Sequence, residues 1–186
     1  MSESATTGTA TTGIMVGSKP TLIADKTSPL RFLIMDAPRP NNLHLYIKEC
    51  KKHNVTDVVR VCEPTYAKND LINAGIQLHE MPYPDGHSPP DEVLTRWLDV
   101  VHDRFFTGAN QAKHQTIAVH CVAGLGRAPV LVAIALIEFS QMDPVEAVVL
   151  IRKHRRGAIN DKQLHFLETY QRRHKRGPGG GCCIVM

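Results

Sequence analysis

Cys121 and Arg127 stand six residues apart in HCVAGLGRAPV, His120 to Val130, with two glycines between them. A cysteine attacks as its thiolate, and a positive field favours the thiolate over the thiol. An arginine can grip two oxygens of a phosphate in fork geometry. Gly124 and Gly126 allow backbone conformations that other residues resist. A tight loop between a strand ending at His120 and a helix opening at Arg127 or Ala128 would turn successive N–H groups inward, beside a helix N-terminus, and cradle an anion. Val122, Ala123, Gly124, Leu125, Gly126 and Arg127 therefore read as a phosphate-binding loop with Cys121 at its floor. In the plainer reading Cys121 is a buried strand-end residue and the glycines make a turn. The preceding histidine, the paired glycines and the strand–loop–helix setting together weigh against it.

Displacing an alkoxide or phenolate from phosphorus needs a proton donor. Asp85 is the candidate, because PYPDGHSPP is a Pro- and Gly-rich loop able to swing over a pocket. An ordinary Asp-Gly turn is the alternative on the residues alone. His120 either holds the loop and tunes Cys121 or simply packs. Gln163, in NDKQL, reads as a surface helical glutamine.

The elements that must position these groups alternate. TLIAD, LRFLIM, DVVRVC (57–62), IQLHEMP and TIAVH (116–120) read as strands. Asn42 to Lys52, residues 92–106, Pro129 to Gln141, Pro144 to His154 and Lys162 to Lys175 read as helices. Asp143 is placed to cap one helix, with Pro144 at its first position. Asn160 or Asp161 is placed to cap the last. Alternating strands and helices predict an α/β domain with a largely parallel sheet covered on both faces, and ligands outside the strands' carboxyl ends.

The 186 residues suffice for one buried core without disulfide staples. The net charge of +4 is mild and carries no expectation of a nucleic-acid partner. Five cysteines and no secretory signal predict a reducing compartment. The longest apolar run, Ala128 to Ile137, has ten residues, too few to cross a bilayer. The ten histidines are scattered, so no metal or cofactor is expected. Residues 1–20 read as a disordered arm, 21–174 as the folded domain and 175–186 as a loose tail.

Cys-x5-Arg is the signature of protein tyrosine and dual-specificity phosphatases, and the full loop string resembles the phosphatases of regenerating liver, the small prenylated branch of that superfamily. The likeness continues through VVRVCEPTY (58–66), IRKHRRGAINDKQLHFLETY (151–170) and the terminal CCIVM, and covers most of residues 20–186. It implies a dual-specificity phosphatase-like fold and hydrolysis through a phosphocysteine on Cys121, with Asp85 as the acid. The substrate would be a phosphoprotein or a phosphoinositide. The counterpart of His120 holds the loop, and that of Gln163 helps orient water. Ala128 stands where most cysteine phosphatases carry a hydroxyl for the departing sulfur, and slow turnover follows. Cys62 matches a thiol that bridges the nucleophile on oxidation. Met81-Pro82-Tyr83-Pro84-Asp85 departs from the family's Trp-Pro-Phe followed by two aspartates. In relatives this loop docks magnesium transporters, so Pro84 counts against that partnership here. A second reading is a phosphatase-like regulator that docks a transporter or another partner, catalysis being incidental.

Cys183-Ile184-Val185-Met186 matches a prenylation box, and the final Met favours farnesyl on Cys183. One lipid anchors weakly. Arg172, Arg173, Lys175 and Arg176 would add attraction to anionic lipid, or else form a solvated helix end. Cys182 is a candidate for acylation. The resulting expectation is the cytoplasmic face of the plasma or endosomal membrane, with a cytosolic fraction and a homo-oligomer at the membrane. The basic run IRKHRRG (151–157) either ends a helix, forms a nuclear-type patch or, near the pocket mouth, favours acidic substrates.

Overall fold

The computed structural model describes residues 18–24, 26–107 and 114–173. Five strands form one sheet in the order β1-β2-β5-β3-β4. They are β1 (Thr21–Ala24), β2 (Arg31–Met35), β3 (Val55–Arg60), β4 (Gln77–Glu80) and β5 (Thr116–His120). The pairings β2–β5, β5–β3 and β3–β4 are parallel, and β1 runs antiparallel at the edge. The sheet is thus mixed, and largely parallel as the alternating pattern requires.

Side chains alternate across it with the strand period of two. Phe32, Ile34, Ile117 and Val119 face one core. Leu33, Met35 and Ala118 face the other. The larger core is covered by α3 (Asp91–Phe105), α4 (Arg127–Phe139), α5 (Pro144–His154) and α6 (Asp161–Thr169). The smaller lies under α1 (Leu43–Lys52) and α2 (Asn69–Asn73). α4 is buried along nearly its whole length, and the Trp97 indole of α3 donates to Leu131 O at 2.8 Å. No helix among the described residues is long and apolar enough to cross a membrane.

Several boundaries differ from expectation. β3 begins at Val55, which pairs with Thr116 across an irregularity, and ends at Arg60, so Cys62 lies beyond the strand. α2, five residues long, has no counterpart in the sequence-based elements. α6 stops at Thr169 rather than Lys175, because Tyr170 turns to extended backbone and its hydroxyl bonds Glu138 Oε1 at 2.5 Å. Residues 18–20, expected in the arm, belong to the fold. Pro20 is buried, and Arg155 donates to Ser18 Oγ (2.7 Å) and Lys19 O (3.2 Å). Residues 1–17, Lys175, Arg176, Cys182 and Cys183 lie outside the described residues.

Candidate active site

The loop from Cys121 to Gly126 joins the end of β5 to the start of α4 at the carboxyl edge of the sheet. Its carbonyls are tied outward one after another. Val122 O accepts Ala37 N–H at 3.0 Å, and Leu125 O accepts Ile159 N–H at 2.8 Å. Ala123 O and Gly124 O accept Arg155 Nη2 (3.2 Å) and Nε (2.6 Å). The N–H groups of residues 122–126 make no hydrogen bond among the described residues, so a row of donors is left for an anion. Gly124 has φ +69°, and a Cβ there would sit 2.4 Å from Met35 O and from Arg155 Nη2. No other residue fits that approach.

Cys121 is 3% exposed at the floor. Behind it, His120 Nε2 lies 2.7 Å from the Tyr66 hydroxyl. Burial lowers His120 to about 4, against the influence of the Cys121 backbone, so the imidazole is neutral. Burial raises Tyr66, so its phenol is neutral, and which of the two groups donates follows the imidazole tautomer. His120 Nδ1 has no hydrogen-bond geometry to any partner among the described residues. Tyr66 is itself fixed by Arg60, whose Nη1 donates to Tyr66 O at 2.8 Å while its other arm pairs with Glu80.

Arg127 Nη1 donates to Val61 O (3.2 Å) and Tyr83 O (3.0 Å). Its Nε is 3.0 Å from Asp85 Oδ1, an ion pair without hydrogen-bond alignment. Asp85 therefore reaches the loop arginine. Ala128, the second residue of α4, is fully buried and offers no hydroxyl beside the sulfur.

Gln163 is not the surface glutamine its sequence suggests. It is 3% exposed and closes a capping box with Asn160 (2.9 and 3.1 Å). A Cβ on Gly126 would stand 3.1 Å from its Nε2. With Asp85, Cys121, Val122, Leu125 and Arg127, it lines a cavity of about 280 Å³. A larger cleft of about 740 Å³ lies across the loop, lined in part by Lys19, Asp36, His154 and Arg156. Its lining holds no cysteine, whereas Cys121 lines the smaller cavity. The basic run IRKHRRG divides by burial: Arg155 is a buried brace at the wall of this cleft, whereas His154 and Arg156 line it as exposed side chains.

Cys62 and Cys121 are both free buried thiols, and burial raises Cys62 against the lowering pull of Arg127. Cys50 is core, pushed up to about 12 by burial. Of the four tail cations, two are described, and both are engaged. Arg172 bonds Gln141 Oε1 (2.7 Å), Gln141 O and Met142 O. Arg173 Nη2 meets Asp91 Oδ1 at 2.6 Å.

A buried thiol beneath inward N–H groups, an arginine with an arm to spare and a carboxyl within its reach together define a cysteine-dependent phosphatase. A family model described as "PTP-SAK: Swiss Army Knife protein, DSP-PTPase phosphatase domain" matches residues 24–174. The chain is 45% identical over 159 residues to protein tyrosine phosphatase PRL-1 of Leishmania major, covering 83% of this chain and 87% of that one. It is 49% identical over 142 residues to human protein tyrosine phosphatase type IVA 3, covering 76% and 79%. A solved protein tyrosine phosphatase from Leishmania major superposes with a TM-score of 0.73 at 41% identity, covering 83% of this chain and 100% of that one. The chain belongs to the phosphatase of regenerating liver family, the type IVA protein tyrosine phosphatases, and is an enzyme of that class.

Proposed function

We propose that this phosphatase hydrolyses phosphotyrosine in proteins, slowly, at a membrane surface. Cys121 attacks phosphorus while Arg127 and the loop N–H groups hold the phosphoryl oxygens. Asp85 gives its proton to the leaving phenolate, then takes one from the water that cleaves the phosphocysteine. Gln163, at the pocket wall, orients that water. The carrying observation is the loop itself, whose carbonyls of residues 122–125 are all bonded outward above Cys121.

Without a hydroxyl at Ala128 the departing sulfur lacks a donor. Losing one such donor costs about 2.7–4 kcal/mol, a slowing on the order of a hundredfold. Cys62 serves as the resolving thiol for an oxidised Cys121, supported by the Val61 N–H bond to His120 O (3.0 Å), which sets the residues after β3 and β5 side by side, and by the burial of both free thiols. Farnesyl on Cys183, with Cys182 as a second lipid position, recruits the enzyme to the cytoplasmic face of plasma or endosomal membranes, where copies associate. A phosphoinositide is the second substrate reading, favoured by the cationic Lys19 and Arg156 on the cleft adjoining the loop. The regulator reading, with a transporter as partner, has only Pro84 to bear on it, and Pro84 weakens it.

Rapid mixing with an aryl phosphate tests the chemistry. Cys121→Ser should give no burst of phenol. Ala128→Ser should keep the burst and raise the steady rate through faster phosphocysteine decay. A normal burst from Cys121→Ser would remove the mechanism, and unchanged decay in Ala128→Ser the account of slow turnover.

A further inference from the structure

Tyr83 stands two residues before Asp85, and the two ends of that short segment differ sharply. The Tyr83 side chain is buried in the main core beside Met81, whereas the Asp85 side chain is 78% exposed. Two hydrogen bonds cross between Tyr83 and Arg127 in opposite directions. The phenol donates to Arg127 O at 3.0 Å, and Arg127 Nη1 donates to Tyr83 O at 3.0 Å. Burial and the nearby Cys121 raise the phenol, so it remains a donor throughout the working range. Pro84, between them, fixes its own φ and offers no N–H, so the placement of Asp85 follows that of Tyr83.

These ties differ from the Asp85–Arg127 ion pair in one respect. A phosphoryl dianion gripped by Arg127 would compete for Nε, and Asp85 would lose that anchor as substrate binds. The main-chain oxygen of Arg127 and its Nη1, both turned to Tyr83, are not needed for gripping phosphate. We propose that the Tyr83 hydroxyl is a positioning group that keeps the acid loop closed on Arg127 after substrate has displaced Asp85, so that Asp85 reaches the leaving oxygen. The inference rests on Asp85 being the general acid.

Leaving groups separate this role from simple support. Phenyl phosphate needs a proton to release phenolate, and dinitrophenyl phosphate does not. In first-turnover measurements on the full chain, Tyr83→Phe, which keeps the ring, should slow phenyl phosphate about three- to tenfold, the range of one hydrogen bond. The rate on dinitrophenyl phosphate, the affinity for vanadate and the thermal midpoint should stay as in wild type. In an Asp85→Asn background the same change should cost nothing further, because no proton is left to deliver. An equal loss on both esters, or a full additional loss on top of Asp85→Asn, would make Tyr83 a strut of the phosphate loop and overturn the proposal. So would an unchanged rate on phenyl phosphate. If Asp85→Asn itself slows both esters alike, the acid assignment falls and takes this inference with it, a pattern distinct from any failure at Tyr83 alone.

Discussion

His120 carries a pH signature that follows from its burial. The unfolded chain protonates this residue near 6.5 and the folded chain only near 4. Above pH 6.5 both states are neutral there, and its contribution to stability is complete. As pH falls from 6.5 towards 4 the unfolded state binds the extra proton and gains on the native state, by about 3 kcal/mol across the window. Urea unfolding at steps through that window should show a steeper decline for wild type than for His120→Gln. Parallel declines would mean the imidazole is charged in the fold. At this scale the sequence is legible where a residue type has one use. Cys121 and Arg127 come nearest to this, for few other patterns set a thiol and a fork six residues apart around two glycines, whereas Asp85 reads equally as a turn until the Arg127 contact is seen. Gly124 and Gly126 look alike in the string but differ in need. Gly124 is fixed by positive φ and contact with Met35 O, whereas Gly126 has an ordinary negative φ and meets only the Gln163 side chain. Tyr66 and Tyr83 carry no spacing signal at all, since their partners are 54 and 44 positions away.

Among the elements, periodicity finds β2, β5 and α4 because each buries what its pattern marks. It fails for α2, five residues long with Leu71 as its single buried side chain. It overruns α6, where Tyr170 and Arg173 leave the helix to satisfy Glu138. On α1 the core takes Tyr46 rather than Leu45, the former also donating to Asp36 at 2.7 Å. The basic run after α5 is the instructive failure. Arg155 and Arg156 are adjacent and identical in kind, yet Arg155 is 5% exposed and Arg156 is at the surface. Arg155 joins the approach to β1, the end of β2 and the phosphate loop through Lys19, Thr21, Ile34, Ala123 and Gly124. A single ammonium cannot replace that fan. Arg155→Lys should therefore lower stability by about 1–3 kcal/mol, the cost of carbonyls left unpaired, and weaken vanadate binding. Arg156→Lys should do neither. Calorimetry and vanadate titration of both variants decide it, and equal behaviour would remove Arg155 as the brace.

For the molecule as a whole, the contacts of Arg172 and Arg173 change how the tail is to be understood. Neutralising the four cations together would loosen the fold as well as the surface charge, because two of them hold Gln141, Met142 and Asp91. The Arg173–Asp91 contact also fixes where the tail departs. Ser88 and Asp91 share a groove with Tyr170 and Arg173, while Gly86, two positions before Ser88, lines the catalytic cavity. The tether is therefore rooted on the groove that adjoins the segment lining the mouth. Cys183 is ten positions beyond Arg173, a span of at most about 35 Å when fully extended. With Cys183 lipidated, the enzyme becomes a gauge of height: phosphate groups held low over the bilayer come within its leash, and those displayed farther out do not. A Gly/Ser spacer of about twenty residues after position 174 should leave hydrolysis of soluble aryl phosphates unchanged. On vesicles carrying one phosphopeptide on short or long stalks, wild type should favour the short stalk and the spacer variant should lose that preference. Equal preference in both proteins would mean that altitude plays no part in choosing the substrate.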